Sequence, residues 1–366
     1  MTLSPFTDQC AGLAGAPRLD LQWVRHQVDT ALDRFLDRKV RTALDTCLPP
    51  LIGVLRDFVE GGRRLRPLFL YCGWAARGDE PDVEAAARVG AAIELFHSFA
   101  LIHADVVEAA GVRGGKPTVH RKLAEHYTAP AGWEEARWFG VSTAILLGDL
   151  CLSWSDEVFG EAGLDEERRR EARALLHVMR TELIAGQYLD LTTESHNPLR
   201  DAWRLVRLKT ARYSVELPLR IGAVLGGADR RVLNACRAYG RPVGEAFQLR
   251  DDLLRVFGDP GAAGEPDLDD LCRGRRTVLM ALAWKHATSA QRELIVALHG
   301  KPGLNHGEAR RLRQVVVDTG ADARVEHLIR IRTERALAVL RVAPVAPAVK
   351  GALTELATSV ASRGSR

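Results

Sequence analysis

Breakers punctuate this chain at short intervals: Pro49-Pro50, Gly61-Gly62, Gly78 to Pro81, Gly111 to Pro117, Pro130 to Gly132, Asn197-Pro198, Gly226-Gly227, Gly258 to Pro266 and Gly300 to Gly303. Between them, apolar residues recur at steps of three and four among abundant Ala, Leu, Arg and Glu. Long β-branched alternations are absent. That rhythm suits helices burying one face, and it predicts an all-α chain of about ten or more helices. No linker long enough to separate domains interrupts it, and no repeat of fixed period. A single helical domain over 21–355 is expected, with flexible ends at 1–20 and 356–366.

The charge balance narrows the partners. A net charge of +4, spread through 366 residues, gives no basic stripe of the kind nucleic acid needs. The N-terminus lacks a basic region followed by an apolar core, so no signal peptide is expected. No stretch reaches the ~20 uncharged apolar residues of a membrane span. Gly140 to Trp154 comes nearest, but Asp149 interrupts it, and it reads as a buried core helix. The cysteines (Cys10, Cys47, Cys72, Cys151, Cys236, Cys272) form no CxxC pair. Reduced, partly buried thiols in a cytoplasmic protein are expected.

Two constellations carry chemistry. On a helix over Glu94 to Val107, Asp105 and Glu108 stand three apart and share a face, an arrangement of hard oxygen donors open to a cation such as Mg2+. Alone, such a pair is more often a solvated helix end. Here Gly61-Gly62-Arg63-Arg64-Leu65-Arg66-Pro67 precedes it and Arg113-Gly114-Gly115-Lys116-Pro117-Thr118-Val119-His120 follows. Guanidinium forks match diphosphate oxygens. Downstream, Gly244 to Arg255 reads as a second helix with Gln248, Asp251, Asp252 and Arg255 on one stripe.

In order and spacing these segments resemble the trans-isoprenyl diphosphate synthases, whose pattern runs GGKRLRP, ELLHxxxLIHDDxxD, RRGxPTxH, GxAFQxxDDxxD, GDxxxxGK and GKxT. Lys209 to Ser214 resembles that family's KTAxYS segment, Gly186 to Asp190 its GQxxD, and Gly148-Asp149 a core GD step. The resemblance implies an isoprenoid synthase-type helical bundle with a central cavity. It implies isopentenyl diphosphate on Arg63, Arg66 and His97, and it keeps Arg113 among the groups that serve the allylic diphosphate and its metal ions. The allylic diphosphate would meet Lys209, with Thr210 polarising the reacting region and Gln248 near the allylic chain. Mg2+ would bind Asp105, Glu108, Asp251 and Asp252. The His97 to Ala104 step is two helical turns, ~10 Å of rise, which suits two substrates side by side.

Departures from the pattern carry expectations of their own. Ala104 replaces the first aspartate of the first acidic motif, and Glu108 its last. Gly114 replaces an arginine. Arg255 replaces the last aspartate of the second motif, and Glu265 a lysine. A salt bridge between Arg255 and Glu265 is expected. Phe99 beside Ala100, just before the acidic motif, implies short products of about C15 to C20. The leading expectation is a Mg2+-dependent prenyltransferase, a homodimer or a heteromer with an active synthase. A cyclase-like lyase and a non-catalytic regulatory subunit are the alternatives.

Overall fold

The computed structural model describes residues 19–43, 45–126, 132–192, 197–258 and 268–362. The expected flexible end at 1–20 lies outside them up to residue 18. Asp20 begins the fold, its carboxylate accepting from the N–H groups of Gln22 and Trp23. The helices are α1 (Leu21–Arg41), α2 (Leu48–Val59), α3 (Leu65–Trp74), α4 (Val83–Val107), α5 (Val119–Glu125), α6 (Trp133–Gly160), α7 (Glu166–Thr192) and α8 (Pro198–Leu205). After a π-helical segment, Val206–Glu216, come α9 (Leu217–Leu225), α10 (Arg230–Phe257), α11 (Asp269–Cys272), α12 (Val278–His286), α13 (Ser289–Leu298), α14 (His306–Asp318), α15 (Ala321–Val342) and α16 (Pro347–Ala361). The all-α expectation holds, with one small exception. Val112–Arg113 and Lys116–Pro117 pair as a minimal antiparallel hairpin, because Gly114 and Gly115 supply φ of 57° and 78° for a two-residue turn.

Helix α4 is apolar on nearly every side and runs through the core, with Val89, Ile93, Leu95, Phe96 and Ile102 at most 1% exposed. It packs on α1, α3 and α6, while α10 packs on α15 and on the π-helical segment. Helices α3 and α9 meet almost backbone to backbone. A Cβ at Gly73 would lie 1.9 Å from the Leu219 carbonyl oxygen, and one at Gly222 only 1.8 Å from that of Leu70.

Three sequence expectations need correction. Helices α4 and α6 are both long and apolar enough to cross a membrane by length and composition. In α4 that character is spent on the core. In α6 only one stripe is buried, including Leu147, Cys151 and Trp154, while Trp138 and Leu146 stay 64% and 62% exposed. The segment Gly140 to Trp154 is therefore half a core helix and half an apolar surface. At the other end, α16 runs to Ala361 with Leu356, Ala357 and Val360 buried against α3 and α10, so the packed domain continues beyond residue 355. Cys72, Cys151 and Cys236 are buried, and burial pushes each thiol up to about 12, which leaves them inert.

Candidate active site

A cavity of about 760 Å³ lies between α4, α7, the π-helical segment and α10, with the loop before α3 at its rim. Eight cationic and six acidic side chains line it, an excess that favours an anionic ligand. Phe99, Ala100, Leu101, Leu183 and Leu205 make an apolar wall. Among the expected site residues Arg63, Arg66, His97, Glu108, Arg113, Lys209, Thr210, Gln248, Asp251 and Asp252 line the cavity.

The rim loop owes its shape to Gly61 and Gly62, at φ 78° and 83°, and to Arg64, which holds φ 49° without being glycine. Arg64 is buried and donates to Glu94 (3.0 Å), to Asp29 (2.7 Å) and to the Val59 carbonyl (2.6 Å). Its neighbours are thereby set toward the cavity. The Arg63 guanidinium lies 5.3 Å from the Phe247 ring centroid. Arg66 lies 4.4 Å from that of Tyr213 and donates to Ser214 at 2.8 Å. His97 Nδ1 is 2.7 Å from the Tyr213 hydroxyl.

Burial holds the His97 imidazole well below its usual 6.5, and the guanidiniums of Arg66, Arg113 and Arg64 push the same way. His120 and His299 are also lowered, each chiefly by burial. The unfolded chain takes up these protons near 6.5 and the folded chain only below it, so their contribution is full above 6.5 and lost as pH falls toward the lowered values. The melting temperature is expected to drop between about pH 6.5 and 5, and a scan by circular dichroism checks it.

Lys209, Thr210, Tyr213 and Ser214 all sit on the π-helical segment. Pro218, just after it, has no N–H to return into the preceding turn, which favours irregular winding there. Gly244 lets α10 press against this segment: a Cβ there would lie 2.4 Å from the Ala211 Cα. The close approach brings Gln248 to the Thr210 hydroxyl, which donates to its Oε1. Gln248 Nε2 then donates to Asp252 at 2.7 Å. The Lys209 ammonium is 2.6 Å from Asp190.

The acidic residues divide unequally. Asp251 and Asp252 are both in the wall, and Asp251 accepts from Arg255 at 2.7 Å. Glu265 lies outside the described residues, so the expected Arg255–Glu265 bridge does too. On α4, Asp105, expected as a metal ligand, is not among the residues that line the cavity. It is 1% exposed and takes both Arg113 Nε (3.0 and 2.9 Å) and Nη2 (2.6 Å). Arg113 lines the cavity but spends its fork on that carboxylate. Glu108 accepts from Arg273 (3.2 Å) and Arg275 (2.7 Å). Asp251 and Asp252 thus present adjacent oxygen donors of the kind a hard cation takes, whereas Asp105 and Glu108 are each engaged by arginines.

The sequence profile of the family described as polyprenyl synthetase matches residues 49–316. The chain belongs to the polyprenyl synthetase family. It is 32% identical over 301 residues to the geranylfarnesyl diphosphate synthase of Aeropyrum pernix, covering 81% of this chain and 88% of that one. With the geranylgeranyl diphosphate synthase of Mycobacterium tuberculosis it shares 30% over 284 residues, 77% of this chain and 75% of that protein. Among solved structures, the geranylgeranyl pyrophosphate synthase of Corynebacterium glutamicum, complexed with isoprenyl diphosphate and magnesium, superposes with a TM-score of 0.88 at 35% identity. That match covers 94% of this chain and all of the other.

Against the family pattern, several site residues were not singled out by sequence reasoning. Asp190, the last residue of the GQxxD step, is the carboxylate that holds Lys209. Arg64, within the first arginine-rich segment, is the buried anchor of the rim loop. Arg273 and Arg275 were not assigned, though both converge on Glu108. The GQxxD step was the available signal for Asp190. Nothing in the pattern marked Arg273.

Proposed function

We propose that this chain is a trans-prenyltransferase that condenses isopentenyl diphosphate with an allylic prenyl diphosphate to a short-chain product. The observation that carries the reading is one apolar cavity with cationic groups at two places on its rim, Arg63 and Arg66 beside His97, and Lys209 on the π-helical segment. The first set orients isopentenyl diphosphate. Lys209 draws the allylic diphosphate, whose C–O bond breaks. The double bond of isopentenyl diphosphate attacks the freed carbon, and one proton leaves the new chain. Tyr213 and Phe99, both in the cavity wall and both braced on Phe96, keep water from the cation, with Phe96 and Tyr213 ring centroids 5.9 Å apart. Relatives bearing diphosphate synthase names favour this over a lyase.

Asp251 and Asp252 are the residues to hold Mg2+, whose charge when bound would ease departure of the diphosphate. The exposed apolar side of α6 supports a homodimer packed on that face, which sedimentation equilibrium tests. Inert buried thiols fit a cytoplasmic setting.

Incubation with labelled isopentenyl diphosphate, geranyl diphosphate and Mg2+ tests the reaction. A longer diphosphate supports the proposal. A hydrocarbon or alcohol points to a lyase, and no product at any metal concentration to a regulatory subunit. Chain length has its own test. Phe99 is 8% exposed, stacks on Phe96 at 5.6 Å between centroids and borders the cavity beside Ala100. Phe99→Ala deepens the apolar end, and the product is expected to lengthen by about one five-carbon unit or more, read by mass spectrometry of the dephosphorylated lipid.

A further inference from the structure

The α4 side of the cavity departs from a metal site in three independent ways. Position 104 carries a methyl group where a carboxylate would be needed. Asp105 is 1% exposed and clamped by Arg113. Glu108, the C-cap of α4, takes Arg273 and Arg275 on Oε2 and has the Lys209 ammonium 3.9 Å from Oε1. Three cations thus converge on a single acid. A divalent cation brought to Glu108 would meet like charges within ~4 Å, where repulsion is strong in a partly buried site. A diphosphate brought there meets opposite charge, from two guanidiniums and the Lys209 ammonium.

Resting on the prenyl diphosphate reading above, we propose that this corner binds no metal ion, and that Arg273 and Arg275 take up diphosphate charge in its place. Any divalent ion is confined to Asp251 and Asp252 on α10. Glu108 is then a counter-ion that gathers the two guanidiniums and competes with the incoming diphosphate for them. This inverts the sign of its contribution. A metal ligand strengthens binding, whereas a competitor weakens it.

The test uses a non-hydrolysable geranyl thiolodiphosphate, titrated calorimetrically into the full chain in chelator and in Mn2+, with bound Mn2+ counted by electron paramagnetic resonance. Glu108→Gln keeps the shape and removes the charge. It is expected to bind the analogue about threefold or more tighter in chelator, and to bind as much Mn2+ as the parent. The double change Arg273→Gln with Arg275→Gln is expected to weaken binding in chelator by about tenfold or more, with circular dichroism confirming the fold. Loss of bound Mn2+ in Glu108→Gln, or weaker binding by that variant, overturns the proposal while leaving the prenyl diphosphate reading intact. Failure of the parent chain to bind the analogue in either buffer overturns both.

Discussion

Replacing Lys209 with alanine is expected to lower kcat/KM by about 10²- to 10³-fold while leaving the fold in place, because it removes a preorganised charge from the point where the diphosphate gains charge. Asp190 holds the ammonium at 2.6 Å from one side. Gly186 makes room for the stem, since a Cβ there would lie 2.9 Å from the Lys209 Cγ. A flexible side chain is thus set before substrate arrives, and no ordering entropy is left to lose at that moment. The stability effect should be small, about 1 kcal/mol, because both partners are partly solvated. Steady-state kinetics with each diphosphate varied in turn gives the decisive split. A Lys209 that stabilises the departing group affects kcat and the allylic KM but not the KM for isopentenyl diphosphate. A loss below about tenfold would remove Lys209 from the proposed chemistry.

Most of the cavity wall was legible because its residues come in patterns that helix geometry enforces. Gln248, Asp251, Asp252 and Arg255 share a stripe whatever else the chain does, and His97 stands two turns from Ala104. What the sequence left open depends on contacts outside a single helix. Asp105 is expected as a ligand because its spacing from Glu108 is right. Its burial depends on where the hairpin places Arg113, eight residues on. The same hairpin explains Gly114: a side chain at φ 57° would be strained, so the turn displaces the arginine that the pattern puts there. The length of α16 was invisible because Leu356 and Val360 find their apolar neighbours in distant helices such as α3 and α10. Apolar composition made Gly140 to Trp154 read as a core helix, but could not say that Trp138 and Leu146 stay uncovered within one chain. The π-helical winding of Val206–Glu216 had a single local hint in Pro218.

Arg64→Ala should be the most destabilising single change outside the apolar core, at roughly 3–5 kcal/mol, because it leaves a buried carboxylate without its partner. Arg64 and Glu94 are 8% and 5% exposed, and their ion pair spans 3.0 Å. Glu94 Oε1 already has no hydrogen-bond partner among the described residues, so the pair is its main compensation. The arginine also tolerates φ 49° only because three acceptors hold it, and alanine at the same φ keeps the strain without the bonds. Urea melts give the loss. Adding Glu94→Gln removes the stranded charge and should recover a large share of the loss. If the double variant is no better than Arg64→Ala, the destabilisation lies in the loop and not in the charge. Kinetics separates the second role: with the loop released, Arg63 and Arg66 lose their setting, and the KM for isopentenyl diphosphate is expected to rise while that for the allylic diphosphate stays close to the parent value.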